Sequence, residues 1–328
     1  MIKYELSVKK CNKYQFFVLD KKIIQNFFIF ILYRDNIKIR MIEYISLEGG
    51  GVKAYAYAGV LKYFSEKGVK LNCLNAISGS SIGAFTALCI VLDYTYEEFA
   101  DVMSDFSLPA FISCYSLLTS LPNLIRNYGI LNSSKIDDII SLIFEKKNID
   151  KDITFSELFK KNQIDLIITG SNVNTMKTIY FSHKTFPDME VREACKISCS
   201  YPIVFAPTIL NGEYYCDGGL YRNLPFQYLE DNYDDDLKNT IGFIFRNKND
   251  MYSKTPNIIQ YLLALINGLY YNSTDSDFKN DEYVMDERIC VIDIPENITS
   301  FSTLTNEEKK ILVDVGYDAI DKYFTKII

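Results

Sequence analysis

Short apolar runs alternate with longer amphipathic stretches along most of this chain. Tyr44–Leu47, Asn72–Ile77, Ile164–Thr169, Thr178–Ser182, Thr240–Phe245 and Ile289–Ile294 are each too short for a helix and predict buried strands. Between them lie helical patterns. Ala58, Leu61 and Tyr63-Phe64 supply apolar positions to one, with Gly68 placed as its C-cap. Ile82–Leu92 is apolar all round and predicts a buried helix. Ile136, Ile139, Ile140, Ile143 and Phe144 mark one face of another, with Ser134 as its N-cap. Thr154-x-x-Glu157 and Thr305-x-x-Glu308 are capping boxes, the second opening a final helix bearing Leu312, Val315 and Ala319. Asp188 is placed to cap a helix carrying Val191, Ala194, Cys195 and Ser198, ended by Pro202 and Pro207. Ile258, Leu262, Ile266 and Leu269 form an apolar stripe after Thr255-Pro256, read as core or as an acyl-chain wall. Residues 94–131 read as helical pieces broken at Pro109 and Pro122, with Leu117, Leu118 and Leu121 in a cap or in the core. The opening strand–loop–helix–strand order is a βαβ unit, which implies parallel strands.

Three loops in this frame carry candidate chemistry. After the first strand comes Glu48-Gly49-Gly50-Gly51-Val52-Lys53-Ala54, where three glycines let backbone N–H groups crowd round one point, as an oxyanion hole requires. After the second comes Gly79-Ser80-Ser81-Ile82-Gly83, the strand-to-helix context of a nucleophile elbow. Ser81 would then stand at a helix N-terminus, where the dipole favours developing negative charge. Further on, Tyr214-Tyr215-Cys216 leads into Asp217-Gly218-Gly219. Taken alone, the pentapeptide also fits a small-residue turn, and Asp-Gly also fits a hairpin turn. Together the blocks offer donors, a nucleophile and an acidic base, in that order.

That ordered set resembles the patatin-like phospholipase family. The matching residues are Gly49-Gly50-Gly51-Val52-Lys53, Gly79-Ser80-Ser81-Ile82-Gly83 and Asp217-Gly218-Gly219, joined by Val191-x-x-Ala194-x-x-x-Ser198-x-x-x-Pro202-x-x-Phe205. The likeness runs from about Tyr44 to the C-terminus; Ala54 stands where the family usually has a glycine. The resemblance implies a three-layer α/β/α fold with a largely parallel central sheet. It also implies a phospholipase A-type acyl hydrolase working without metal or cofactor, acting on phospholipid or another glycerolipid at a membrane surface, with room for a protein activator. Ser81 is then the nucleophile, Asp217 the general base, and Gly49, Gly50 and Gly51 the oxyanion loop. Lys53 steadies that loop or faces a phosphate. A protein that kept the fold for lipid binding alone would be expected to lose the serine, the aspartate or the glycines, and this chain retains them all.

Composition sharpens the reading. The chain has 328 residues, 48% of them hydrophobic, enough to bury a substantial core. It holds a single histidine, His183. A Ser-His-Asp esterase must use it; Ser81, Asp137, His183 satisfies the order serine, acid, histidine on paper, but no motif surrounds His183, and it otherwise reads as a surface loop residue. A Ser–Asp pair needs no histidine. Zinc motifs are absent from the sequence. Gly49, Gly51 and Ala54 also match a dinucleotide fingerprint, but Ser78-Gly79-Ser80-Ser81 stands where that motif wants an acid, and no P-loop lysine follows. No nucleic-acid or nucleotide partner is expected. The acidic run Glu230–Asp236 lacks calcium-loop spacing and reads as a solvated loop.

Residues 1–40 differ from the rest. They hold neither Gly nor Ala and carry nine Lys/Arg against three Asp/Glu, a net of +6 that leaves the remainder at −13. Their apolar patch, Ile23–Tyr33, is too short to span a bilayer and lacks a signal-peptide cleavage site. They are read as a basic, aromatic extension, either poorly ordered or settling on anionic lipid. Residues 41–328 are read as one patatin-like phospholipase domain, with Met41 as an alternative start. The eight cysteines are scattered without C-x-x-C pairs and read as reduced thiols. The expected location is intracellular, soluble with peripheral membrane association.

Overall fold

The structure, a computed structural model, describes residues 42–105, 117–233, 239–247, 258–273 and 286–327. Expectations placed on residues 1–40, Met41, Pro109, Thr255-Pro256 and the acidic residues 234–236 lie outside the described residues.

The first half opens with β1 (Tyr44–Leu47), the glycine loop, a 3-10 turn (Gly51–Ala54) and α1 (Tyr55–Glu66), then β2 (Ala76–Gly79) and α2 (Ile82–Val91). Next come α3 (Tyr96–Asp105), α4 (Leu117–Asn127), β3 (Gly129–Leu131), α5 (Ser134–Lys146) and α6 (Phe155–Asn162). The second half runs β4 (Asp165–Asn172), β5 (Lys177–Phe181), α7 (Val191–Ser198), β6 (Ile203–Phe205), β7 (Thr208–Leu210) and β8 (Glu213–Asp217). It closes with α8 (Phe226–Asn232), β9 (Thr240–Arg246), α9 (Ile258–Ser273), β10 (Ile289–Asp293) and α10 (Asn306–Ile327).

The main sheet has the order β10-β9-β1-β2-β4-β8-β7, with β5 also paired to β4. From β10 to β4 every neighbouring pair is parallel. Beyond β4 the direction reverses: β8, β7 and β5 join as antiparallel strands. Strand alternation sends Ile45, Leu47, Ile77, Ile168, Phe243 and Ile292 into one large core with α1, α2, α7 and α10. The opposite face carries Tyr44, Ala76 and Ile167 under Leu229, and Ile244 under Phe226, both from α8. Helices therefore lie on both faces of a mainly parallel sheet, a three-layer α/β/α arrangement whose second helical layer is thin.

Local chemistry sets the element ends. Both capping boxes form: Glu157 N donates to Thr154 Oγ1, Glu308 N to Thr305 Oγ1, and each glutamate accepts the threonine N–H in return. Gly68 follows α1 with φ +69°, and Val69 N donates to Phe64 O at 2.8 Å, closing the helix. Other caps differ from expectation. Asn132 Oδ1, not Ser134, accepts at the start of α5, from Ser134 N. Helix α7 is preceded by Glu190, with no side-chain cap from Asp188. Pro122 lies inside α4 instead of ending it, which removes one helical N–H donor. On α9, Leu263 is buried and Ile266 and Tyr270 pack on the core, whereas Ile258 and Leu269 face outward. A helix with no charged residue offers no charged face to fix the phase of its apolar stripe.

Candidate active site

Ser81 sits at the C-terminal end of β2 with φ 53° and ψ −128°, a backbone conformation that L-residues rarely hold. Small neighbours permit the sharp turn: a Cβ on Gly79 would strike the backbone of Gly83, and one on Gly83 would strike Leu47 O. The turn is held from α7, where Ser198 Oγ accepts from Ser81 N at 2.9 Å. The glycine loop after β1 lies directly beside it, since a Cβ on Gly49 would come within 2.9 Å of Ser81 Cβ. Gly51 takes φ +58° where the loop turns into α1. Lys53 is buried, which favours the structural role for it over an exposed phosphate contact.

Asp217 arrives from the other direction, at the end of β8 opposite Gly170 of β4. Because Ile168 pairs with Gly79, this puts Asp217 at the level of the elbow. Ser81 Oγ donates to Asp217 Oδ2 at 2.6 Å, and Gly219 N donates to Oδ1 at 2.8 Å. Gly218 packs against Thr169 and Gly219 against Tyr270 and Asn223. Burial pushes the Asp217 carboxyl up to about 7; hydrogen bonds from Ser81 and Gly219, and the nearby Tyr270 hydroxyl, pull the other way. A carboxylate that titrates near neutrality, within hydrogen-bond reach of an alcohol, has the geometry and the basicity to take its proton.

A second set of contacts, not singled out in the sequence, ties these loops together. Asn223 Nδ2 donates to Glu48 Oε1 at 3.0 Å and to Gly49 O at 3.2 Å. Glu48 Oε2 accepts from Phe245 N at 2.6 Å, and Tyr57 Oη donates to Glu48 O. Gly49 N donates to Asn223 O at 3.3 Å. A readable signal existed for Glu48, an acid placed at the buried end of an apolar strand. Asn223 and Tyr270 come from a loop and a helix without any local pattern.

The three-residue esterase arrangement is not formed. His183 Nδ1 contacts Asp165 Oδ1 at 2.7 Å, and its ring stacks on Phe159 with centroids 3.7 Å apart. Asp165 is paired in register with Ala76, at the opposite end of the strands from the elbow. His183 is also no plain surface residue, since Asp165 is buried and shared with Tyr233 and Lys184. Asp137 is engaged by Arg192 at 2.8 Å. Glu230, at the start of the acidic run, pairs with Arg288 at 2.7 Å. Among the described residues no group of three His, Cys, Asp or Glu is placed to hold a metal ion.

The sequence profile of the family described as patatin-like phospholipase matches residues 45–230. The chain belongs to the patatin-like phospholipase family. Its elbow, glycine loop and Asp-Gly-Gly turn all fall inside the matched region. Among similar chains, the uncharacterized protein R571 of Acanthamoeba polyphaga mimivirus is 30% identical over 297 residues, covering 88% of this chain and 95% of its own. The probable lipid hydrolase 463L of Invertebrate iridescent virus 6 is 27% identical over 215 residues, 61% of this chain and 69% of that one. Among solved structures, VipD from Legionella pneumophila matches with a TM-score of 0.53 at 18% identity, over 88% of this chain and 67% of VipD. ExoU in its complex with SpcU from Pseudomonas aeruginosa matches at 0.50 and 17%, over 88% of this chain and 52% of that one. These two likenesses are of fold. Membership of the patatin-like family makes lipid ester hydrolysis the general activity of this chain.

Proposed function

We propose that this chain is a phospholipase A-type acyl hydrolase that works through Ser81 and Asp217. The observation carrying the proposal is the 2.6 Å contact between the Ser81 hydroxyl and Asp217, made on a strained elbow beside the glycine loop. Ser81 Oγ attacks the ester carbonyl of a glycerolipid while Asp217 takes its proton. The oxyanion is held by loop N–H groups. Gly49 N is already given to Asn223 O, so the donors assigned to the oxyanion are those of Gly50 and Gly51, with Gly49 allowing the close approach. Collapse expels the lysolipid alkoxide, which takes the proton back from Asp217 and leaves Ser81 acylated. Water then attacks the acyl-enzyme, again giving a proton to Asp217, and the fatty acid leaves. This scheme draws on no metal or cofactor.

The region from 41 onward is proposed as the catalytic domain, with residues 1–40 as a basic extension that aids contact with anionic lipid. Among the described residues no helix is long and apolar enough to cross a membrane. Peripheral contact is supported by the outward face of α9, where Ile258, Tyr261, Leu265 and Leu269 are each roughly half exposed on a helix without a charged residue.

The test is fatty acid release from mixed-chain phosphatidylcholine vesicles, wild type beside Ser81→Ala, with the released chain identified by mass. Release by wild type alone supports the proposal and names the glycerol position. Labelling of Ser81 by a fluorophosphonate without release would point to a missing protein activator or another ester. The absence of both labelling and release would overturn the proposal.

A further inference from the structure

Tyr270 lies on the inner face of α9 and covers the Asp-Gly-Gly turn, since a Cβ on Gly219 would strike its ring. The helix is fastened to that turn: Ser273 Oγ donates to Gly219 O at 2.7 Å. The Tyr270 ring packs on Tyr201 with centroids 4.9 Å apart, and the Tyr201 hydroxyl returns to Asn267 on the same helix. Phe301 closes edge-on against Tyr201 at 5.0 Å. The ring is therefore fixed, but its hydroxyl is buried without a well-formed hydrogen bond. That hydroxyl nevertheless lies close enough to Asp217 for each group to shift the acidity of the other.

The proposed reaction gives this unfinished contact a use. In the free enzyme Asp217 has one donor on each oxygen, Ser81 on Oδ2 and Gly219 on Oδ1. Once Ser81 is acylated it has no hydroxyl proton to donate. Asp217 has by then returned its proton to the leaving alcohol, so a buried carboxylate is ionised with one fixed donor fewer. We propose that Tyr270 is a positioning residue for Asp217, whose hydroxyl closes on the carboxylate of the acyl-enzyme and replaces the lost Ser81 donor. The inference rests on the roles assigned above to Ser81 and Asp217.

The other groups around Asp217 do not compete for this task. Cys216, on its own strand, is pushed up to about 12 by burial and by Asp217 itself. Cys199, at the end of α7, is raised well above the usual thiol range by its contact with Cys195 and by burial. Thr169 on β4 packs on Gly218, and its hydroxyl donates to Gly79 O. Glu48 on the glycine loop is turned onto Asn223 and Phe245 N. At neutral pH the two thiols and the Tyr270 phenol carry no charge, and they leave Tyr270 as the hydroxyl poised over the turn.

Tyr270→Phe keeps the ring and removes the donor. The measurement is steady-state hydrolysis of a p-nitrophenyl acyl ester by the full chain between pH 5 and 9, with mass detection of acyl-Ser81. The expected result is a kcat reduced about tenfold at pH 6, its acid midpoint moved up by roughly one unit, kcat/KM less affected, and acyl-enzyme accumulating. The sign follows from the chemistry: losing a donor to the charged form raises the pKa, so the base ionises at higher pH. Unchanged kinetics, or parallel falls in kcat and kcat/KM at every pH, would overturn the role of Tyr270 alone. A wild type that neither turns over nor reacts with a fluorophosphonate would overturn the Ser81–Asp217 reading and this inference with it.

Discussion

Asn223 joins the two halves of the site by giving its amide to Glu48 Oε1 at 3.0 Å, across 175 residues of chain. The same amide reaches Gly49 O, so the loop beside Ser81 and the turn that carries Asp217 share one side chain. Asn223→Ala leaves a buried carboxylate oxygen short of a donor. It should cost about 1–3 kcal/mol of stability and reduce ester turnover. Asn223→Asp, which sets a second carboxyl against Glu48, should cost more. Thermal melts and turnover of the two variants side by side check the ranking.

The backbone of Ser81 predicts an unusual ordering of variants. At φ 53° a Cβ is strained, and glycine is not. Ser81→Ala and Ser81→Gly should both abolish turnover. Ser81→Gly should nevertheless melt above Ser81→Ala, by an amount on the order of 1 kcal/mol. An equal or reversed order would mean the elbow is not held in this conformation in solution.

Asp217 makes activity and stability respond to pH in opposite senses. Its native value of about 7 lies above the ordinary 3.8, so the folded chain holds this proton where the unfolded chain has lost it. The contribution to stability is present at low pH and is lost as pH rises through about 7. Over roughly three units this amounts to about 4 kcal/mol. Activity, which under the proposed mechanism needs Asp217 ionised, should rise over the same range. Asp217→Asn should therefore be inactive yet melt above wild type at pH 8, with the gain shrinking as pH falls from 7 toward 4. Differential scanning calorimetry across that range measures both limbs.

The site was legible in the sequence where its chemistry is local. The elbow and the glycine loop are short segments between a strand and a helix, and small residues are needed there for reasons of space that a pentapeptide can display. Asp217 followed from its order relative to those blocks. Glu48–Asn223 and Tyr270–Asp217 were not legible, because their partners are 175 and 53 positions apart and neither sits in a repeating pattern. The fold shows the same division. Strand positions were read from short apolar runs, but the antiparallel pairing beyond β4 comes with two hairpins, β4–β5 and β7–β8. The β7–β8 turn, Asn211-Gly212, takes φ values of 53° and 82°, and that dipeptide was a hairpin signal left unused. The phase of α9 was misread because no charged residue marks its outer side.

His183 separates a structural from a catalytic use of the only imidazole in the chain. It shares buried Asp165 with Tyr233 and Lys184 at the end of the strands away from Ser81. His183→Ala should leave turnover near the wild-type value while costing about 1–3 kcal/mol in stability. A folded His183→Ala without activity would return the histidine to the reaction.

Outward residues of α9 should matter for vesicles and not for soluble esters. Leu265→Asp and Leu269→Asp replace side chains that are roughly half exposed, so the fold should tolerate them. Release from phospholipid vesicles is expected to fall severalfold, with p-nitrophenyl ester turnover retained. Equal effects on both substrates would remove α9 from the membrane contact.

The strand β1 lies between β2 and β9, and Glu48 at its end is completed by Phe245 N, 197 residues further on. A ribosome adds residues at about 5–20 per second, so the glycine loop waits on the order of 10–40 seconds for this support, and longer still for Ser300, whose carbonyl accepts from Val52 N. Through that interval the nascent chain already contains Ser81 and, later, Asp217, but the loop beside them lacks its anchor. The long sequence separation thus acts as a timer: vectorial synthesis delivers an esterase whose working loop sets only after most of the polypeptide has been made.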